Sequence, residues 1–179
     1  VELLRQALAV TDAGRDQGVW RASSALARAY MDDPSSVDRS LADAAIELSA
    51  IAGDAALFEL YRSRFEAAGT PTERRRFLAA LGNFRDPALV DRALAYVFAG
   101  PLRPQEVLAI PWRFATIPSQ QAKIFAWMTS HYEQIASRVP PPALRFLPLV
   151  ASGCNEERLK AAQAFFGDGR PRPFAAVAR

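Results

Sequence analysis

Few side chains in this chain could do bond chemistry. There is one histidine, His131, and one cysteine, Cys154. A zinc site of the HExxH type needs two histidines one helical turn apart, so this chain cannot assemble one. A serine triad needs a histidine held by a carboxylate. Glu133 stands two residues from His131, and on a helix that spacing turns the two side chains away from each other. His131 is therefore expected on a helix surface or partly buried. Cys154 has no second thiol, which excludes an internal disulfide and a thiolate cluster; an inert thiol is expected. Gly167 and Gly169 come late, ahead of prolines and with no strand before them, so they do not read as a phosphate loop. Glu156 and Glu157 read as acids at a helix start, where the macrodipole favours them. The expectation is a chain with no catalytic residue, no metal ligand and no cofactor of its own.

The remaining chemistry is charge. Net charge is +3, and the only lysines are Lys123 and Lys160, so the positive charge is almost entirely arginine. Arginine pairs bidentately with carboxylates and phosphates. The run Arg74-Arg75-Arg76 is the densest such feature. Three successive residues on a helix spread over about 200°, so they cannot share one patch; one can face a groove while the others meet solvent. Acids are interspersed with the arginines throughout, which reads as solvated helix faces and argues against a nucleic-acid surface.

Hydrophobic residues make up 50% of the 179 positions, enough for a sizeable core and too many for a disordered chain. No apolar run approaches the roughly 18 residues of a membrane span. The chain opens Val1-Glu2-Leu3 without an initiator Met, and is expected to be an excised piece of a larger protein.

The elements that would position these residues all read as helices. Val1–Val10 carries an apolar stripe, and Asp12-Ala13-Gly14 breaks it. A helix capped by Asp16 is expected to Tyr30, with Val19, Trp20, Ser23, Ala27 and Tyr30 on one side. Leu41, Ala44, Ala45, Leu48 and Ile51 repeat at helical spacing up to Gly53. The stretch 54–100 can then be laid on itself with an offset of about 32 residues. Asp54-Ala55-Ala56-Leu57 falls on Asp86-Pro87-Ala88-Leu89, and Phe65 on Val97. Leu57, Leu60, Tyr61, Phe65 and Ala68 are expected inside, with Glu59, Arg62 and Glu66 pointing away. Thr70-Pro71-x-Glu73 is a capped start with proline at the first helical position, leading to Phe77, Leu78 and Leu81. Beyond Gly100, four prolines limit Leu102–Ser119 to short helices over 105–110 and 112–115. One long helix is expected from Ser119 or Gln120 to about Arg138, with Ile124, Phe125, Met128, Tyr132 and Ile135 inward. Further helices are expected over Leu144–Val150, with Phe146 and Leu149 in the apolar set, and from Asn155 with Leu159, Ala162, Phe165 and Phe166 inward. A loop at 167–171 and a short helix over 173–179 end the chain.

Short helices joined by tight turns each bury one stripe, so they must pack antiparallel with their neighbours. With a recurrence near thirty residues, the expected fold is all-α: stacked antiparallel helix hairpins in a HEAT/armadillo-like α-α superhelix. It is read as a single domain over 1–179. Its parts are N-terminal helices over 1–40, tandem hairpins over 41–100, a Pro-rich connection over 101–119, and C-terminal helices over 120–179.

The residues Tyr61 and Phe65, Thr70-Pro71-x-Glu73-Arg74 with Phe77-Leu78-x-Ala80-Leu81, and Asp86-Pro87-x-Leu89-Val90 with Leu94 carry a resemblance. So do Trp127 with Tyr132, and Phe165-Phe166. From about Leu41 to Phe166 the chain resembles the C-terminal helical domain of zinc aminopeptidases of the aminopeptidase N type, including the endoplasmic-reticulum and puromycin-sensitive enzymes; the first forty residues match it least. The resemblance implies a parent enzyme that removes N-terminal amino acids with zinc held by HExxH and a distant Glu. A Gly-x-Met-Glu-Asn motif would hold the substrate's amino terminus. Neither motif occurs here, so no catalytic residue is carried over. What the resemblance implies for this chain is a domain that covers the catalytic module of the same parent chain and limits which peptides enter. Tyr61, Arg62 and Arg75 are its candidate peptide-contacting residues. The alternative is a free-standing α-solenoid scaffold for a protein partner.

Overall fold

The computed structural model describes residues 17–153 and 155–167. The expectations for the first helix, the Asp16 cap, Cys154, Gly169 and the C-terminal loop and helix lie outside these residues. All regular structure among the described residues is helical, as the sequence predicts. Two compact units are present, Val1–Tyr96 and Val97–Arg179.

In the first unit, α1 (Gln17–Asp32), α2 (Arg39–Ile51), α3 (Ala55–Ala67), α4 (Pro71–Leu81) and α5 (Pro87–Ala99, continuing into the second unit) follow in order. Each boundary has a chemical cause. Asp33 accepts from the backbone N–H and hydroxyl of Ser35 and closes the turn after α1, which holds its carboxyl below the usual range. Asp38 caps α2 by accepting from the Ser40 N–H. Asp54 caps α3 through the Leu57 N–H at 2.9 Å, and Asp86 caps α5 through the N–H groups of Ala88 and Leu89. The offset repeat is therefore real at its helix starts. Thr70 caps α4 through the Glu73 N–H, with Pro71 at the first position.

Packing pairs α1 with α2 and α3 with α4, and lays α2 on α4. Because α2 is covered from both sides, it buries more than one stripe: Ala42, Ile46, Ser49 and Ala50 join the expected Ala45 and Leu48. In α3 the buried face is Phe58, Tyr61 and Phe65, and Leu60 is 39% exposed, not inward as expected. Phe58 takes that place because its ring meets the edge of Phe84 at 5.3 Å. Tyr61 in turn packs on Phe77 and Phe84, and Phe65 on Tyr96, giving an aromatic core between the layers. Gly53 is needed for closeness: a Cβ there would lie 2.6 Å from Phe84 Cε1 and 2.9 Å from Leu57 Cδ2.

Successive hairpins are joined by arginines reaching one repeat back. Arg64 on α3 donates to the Met31 carbonyl on α1, Arg76 on α4 pairs with Asp43 on α2, and Arg92 on α5 pairs with Glu59 on α3. Each contact spans 33 residues. Alternate helices thus lie side by side, α1–α3–α5 in one layer and α2–α4 in the other.

The second unit is less regular. The helix expected over 105–110 is a series of turns, tied by Glu106, whose carboxylate accepts from the Arg103 N–H. A single helix, α6 (Ala109–Ala115), follows; Pro111 fits at its third position, where the missing N–H has no helical partner to lose. A 3₁₀ turn over Pro118–Gln120 leads into α7 (Gln121–Ser130). The long helix expected to Arg138 breaks at His131, and α8 (Tyr132–Arg138) resumes beyond it. Thr129, Ser130 and the His131 ring all bond to carbonyls of residues 125–127, competing with the helix ladder at that point.

After α9 (Pro141–Leu144), a 3₁₀ helix occupies Leu147–Ala151 instead of the expected α-helix. Its three-residue period buries Leu147 and Val150 together. The same period turns Phe146 and Leu149 out, 45% and 57% exposed. Gly153 has φ +127°, a conformation that favours glycine, and starts the approach to α10 (Glu156–Gly167). Asn155 caps α10 through the Arg158 N–H, and Arg158 reaches back to the carbonyls of Ala151 and Ser152. Ala162 is the buried anchor of α10; Leu159, expected inward, is 50% exposed.

Candidate functional site

The three arginines of the 74–76 run take three different environments, as their angular spread requires. Arg74 lies over the Phe65 ring at 4.0 Å. Arg75 is exposed. Arg76 is only 7% exposed; its Nε donates to Asp43, its Nη1 to the Tyr30 hydroxyl, and its guanidinium lies over the Tyr30 ring at 4.6 Å. Helical spacing alone does not say which of the three turns inward. The acid 33 residues earlier, Asp43, is the signal that identifies it.

Above Arg76 lies a cleft of about 840 Å³ between the starts of α2 and α4, lined also by Tyr30, Asp38, Arg39, Thr70 and Glu73. Its positive groups are matched by acids, so it offers a mixed polar surface and not a cationic one.

Tyr61 is fully buried. Its hydroxyl meets Ser49 Oγ at 2.5 Å, and Ser49 itself donates to the Ile46 carbonyl. Burial pushes the Tyr61 phenol up to about 12, against smaller opposing effects of the Ser49 bond and Arg28. It forms the floor of a small cleft of about 150 Å³ whose rim includes Ser24, Arg28 and Asp54.

Arg62 is on the outer face of α3, as expected. It pairs with Glu59 at 2.7 Å and Glu66 at 3.0 Å. Glu59 also holds Arg92, and Glu66 accepts from the Tyr96 hydroxyl, so the charges form one surface network across α3 and α5. Burial, followed by the Glu66 bond, raises the Tyr96 phenol; the two carboxylates, Glu59 first, raise Arg62. Tyr61, Arg62 and Arg75 share no partner: one is interior, one is in a network, and one is in solvent.

In the second unit, His131 is partly buried. Its ring stacks on Trp127 at 4.9 Å and on Phe98 at 5.6 Å, and its Nδ1 bonds to the Trp127 carbonyl. A carbonyl can only accept, so that bond requires the proton on Nδ1. Among the described residues no group of three or more His, Cys, Asp or Glu is arranged to hold a metal, and no helix is long and apolar enough to cross a membrane.

Comparison with curated proteins returns no match. A family model, described as the ERAP1-like C-terminal domain, matches residues 1–179, the whole chain and not only the Leu41–Phe166 stretch that carries the resemblance. The chain therefore belongs to the ERAP1-like C-terminal domain family, a C-terminal domain of aminopeptidase N-type enzymes.

Proposed function

We propose that this chain is a non-catalytic part of a zinc-dependent aminopeptidase, covering the catalytic module and restricting which peptides reach it. The observation that carries the reading is the family match over the full chain. The sequence agrees with it, since the motifs that would bind zinc and a peptide amino terminus do not occur in these residues. Zinc belongs, on this reading, to the catalytic module of the parent chain. The contribution of this domain is steric and electrostatic: its packed helices exclude some peptides and orient others. Arg62 and Arg75 are its proposed peptide contacts, with Tyr61 holding α3 in place from beneath.

The test is reconstitution. The purified chain should not hydrolyse aminoacyl-arylamides with or without zinc. Adding the zinc module of the parent, as a separate chain or in its natural fusion, should give activity whose preference for peptide length depends on this domain. Zinc-dependent hydrolysis by the chain alone would overturn the proposal.

A further inference from the structure

We draw no further inference here: the strongest candidate, the cleft between the starts of α2 and α4, carries nothing, because Arg76 at its floor is already held by Asp43 and Tyr30, the rim mixes Arg39 with Asp38 and Glu73, and nothing in the structure shows what would occupy it.

Discussion

At the scale of single residues, burial decides which polar groups matter. Arg75 and Arg76 are neighbours in sequence, yet only Arg76 is desolvated and paired. Arg76→Ala should cost about 2–4 kcal/mol, from lost charge-assisted bonds and the emptied space of its stem. Arg75→Ala should stay within about 0.5 kcal/mol. Urea unfolding of the two variants checks this, and equal midpoints would mean the inward arginine has been misassigned. Tyr61 makes a prediction in pH. Its folded value, about 12, lies above the ordinary 10, so the folded state holds the proton more tightly. The stability this gives is fully present below pH 10 and is lost as pH rises toward 12. The loss should be about 2–3 kcal/mol. Tyr61→Phe should cost about 1 kcal/mol at neutral pH, from the Ser49 bond, and should flatten stability between pH 10 and 12. Because Tyr96 shifts in the same direction, the comparison of the variant with the parent sequence isolates the Tyr61 share.

At the scale of elements, the chain's local chemistry was most readable where a helix begins. Asp54, Thr70, Asp86 and Asn155 all cap as their positions predict. Removing one such cap, as in Thr70→Ala or Asp86→Ala, should cost about 1 kcal/mol by thermal unfolding. Gly53→Ala should cost more, about 1–3 kcal/mol, because its new methyl meets Phe84 and Leu57 side chains inside the core. Legibility failed where tertiary packing or side-chain competition outweighs local pattern. Leu60 and Phe58 lie on opposite flanks of the Tyr61–Phe65 stripe, and the position of Phe84 decides which flank is buried. The break at His131 depends on three neighbouring side chains bonding to carbonyls at once. Leu144–Val150 has the composition of an α-helix, but prolines at 140–142 and 148 leave it a single α-turn and a 3₁₀ segment, which reverses the exposure of Phe146 and Leu149. The candidate site was legible only in outline. Arg62 and Arg75 are on the surface and Tyr61 is inside, as its helical stripe predicts; what the stripe does not show is the aromatic partners that enclose it, Phe77 and Phe84, sixteen and more positions away.

At the scale of the molecule, stacking by repeats and the proposed peptide selection would make separable demands. The 33-residue arginine contacts tie hairpin to hairpin within the first unit, and they use Arg64, Arg76 and Arg92. Arg75 is not one of them, and Arg62 pairs within its own helix, so both can be changed without removing a pair between hairpins. On the proposed reading, Arg62→Glu and Arg75→Glu in the intact aminopeptidase should alter long peptides selectively. Reversal of an exposed charge against a flexible ligand changes binding by about 0.5–1 kcal/mol, which is about two- to fivefold in KM. kcat for an aminoacyl-arylamide, too short to reach this domain, should not move. The effect should shrink as salt rises, because both side chains are solvent-exposed at least in part. Arg76→Ala provides the contrast: loss of stability first, with no salt-dependent change in peptide KM at temperatures where the domain stays folded. Steady-state kinetics with a peptide length series at two ionic strengths distinguishes these outcomes. Unchanged KM for every long peptide in both charge reversals would remove Arg62 and Arg75 from the peptide path while leaving the covering role of the domain to be tested by reconstitution.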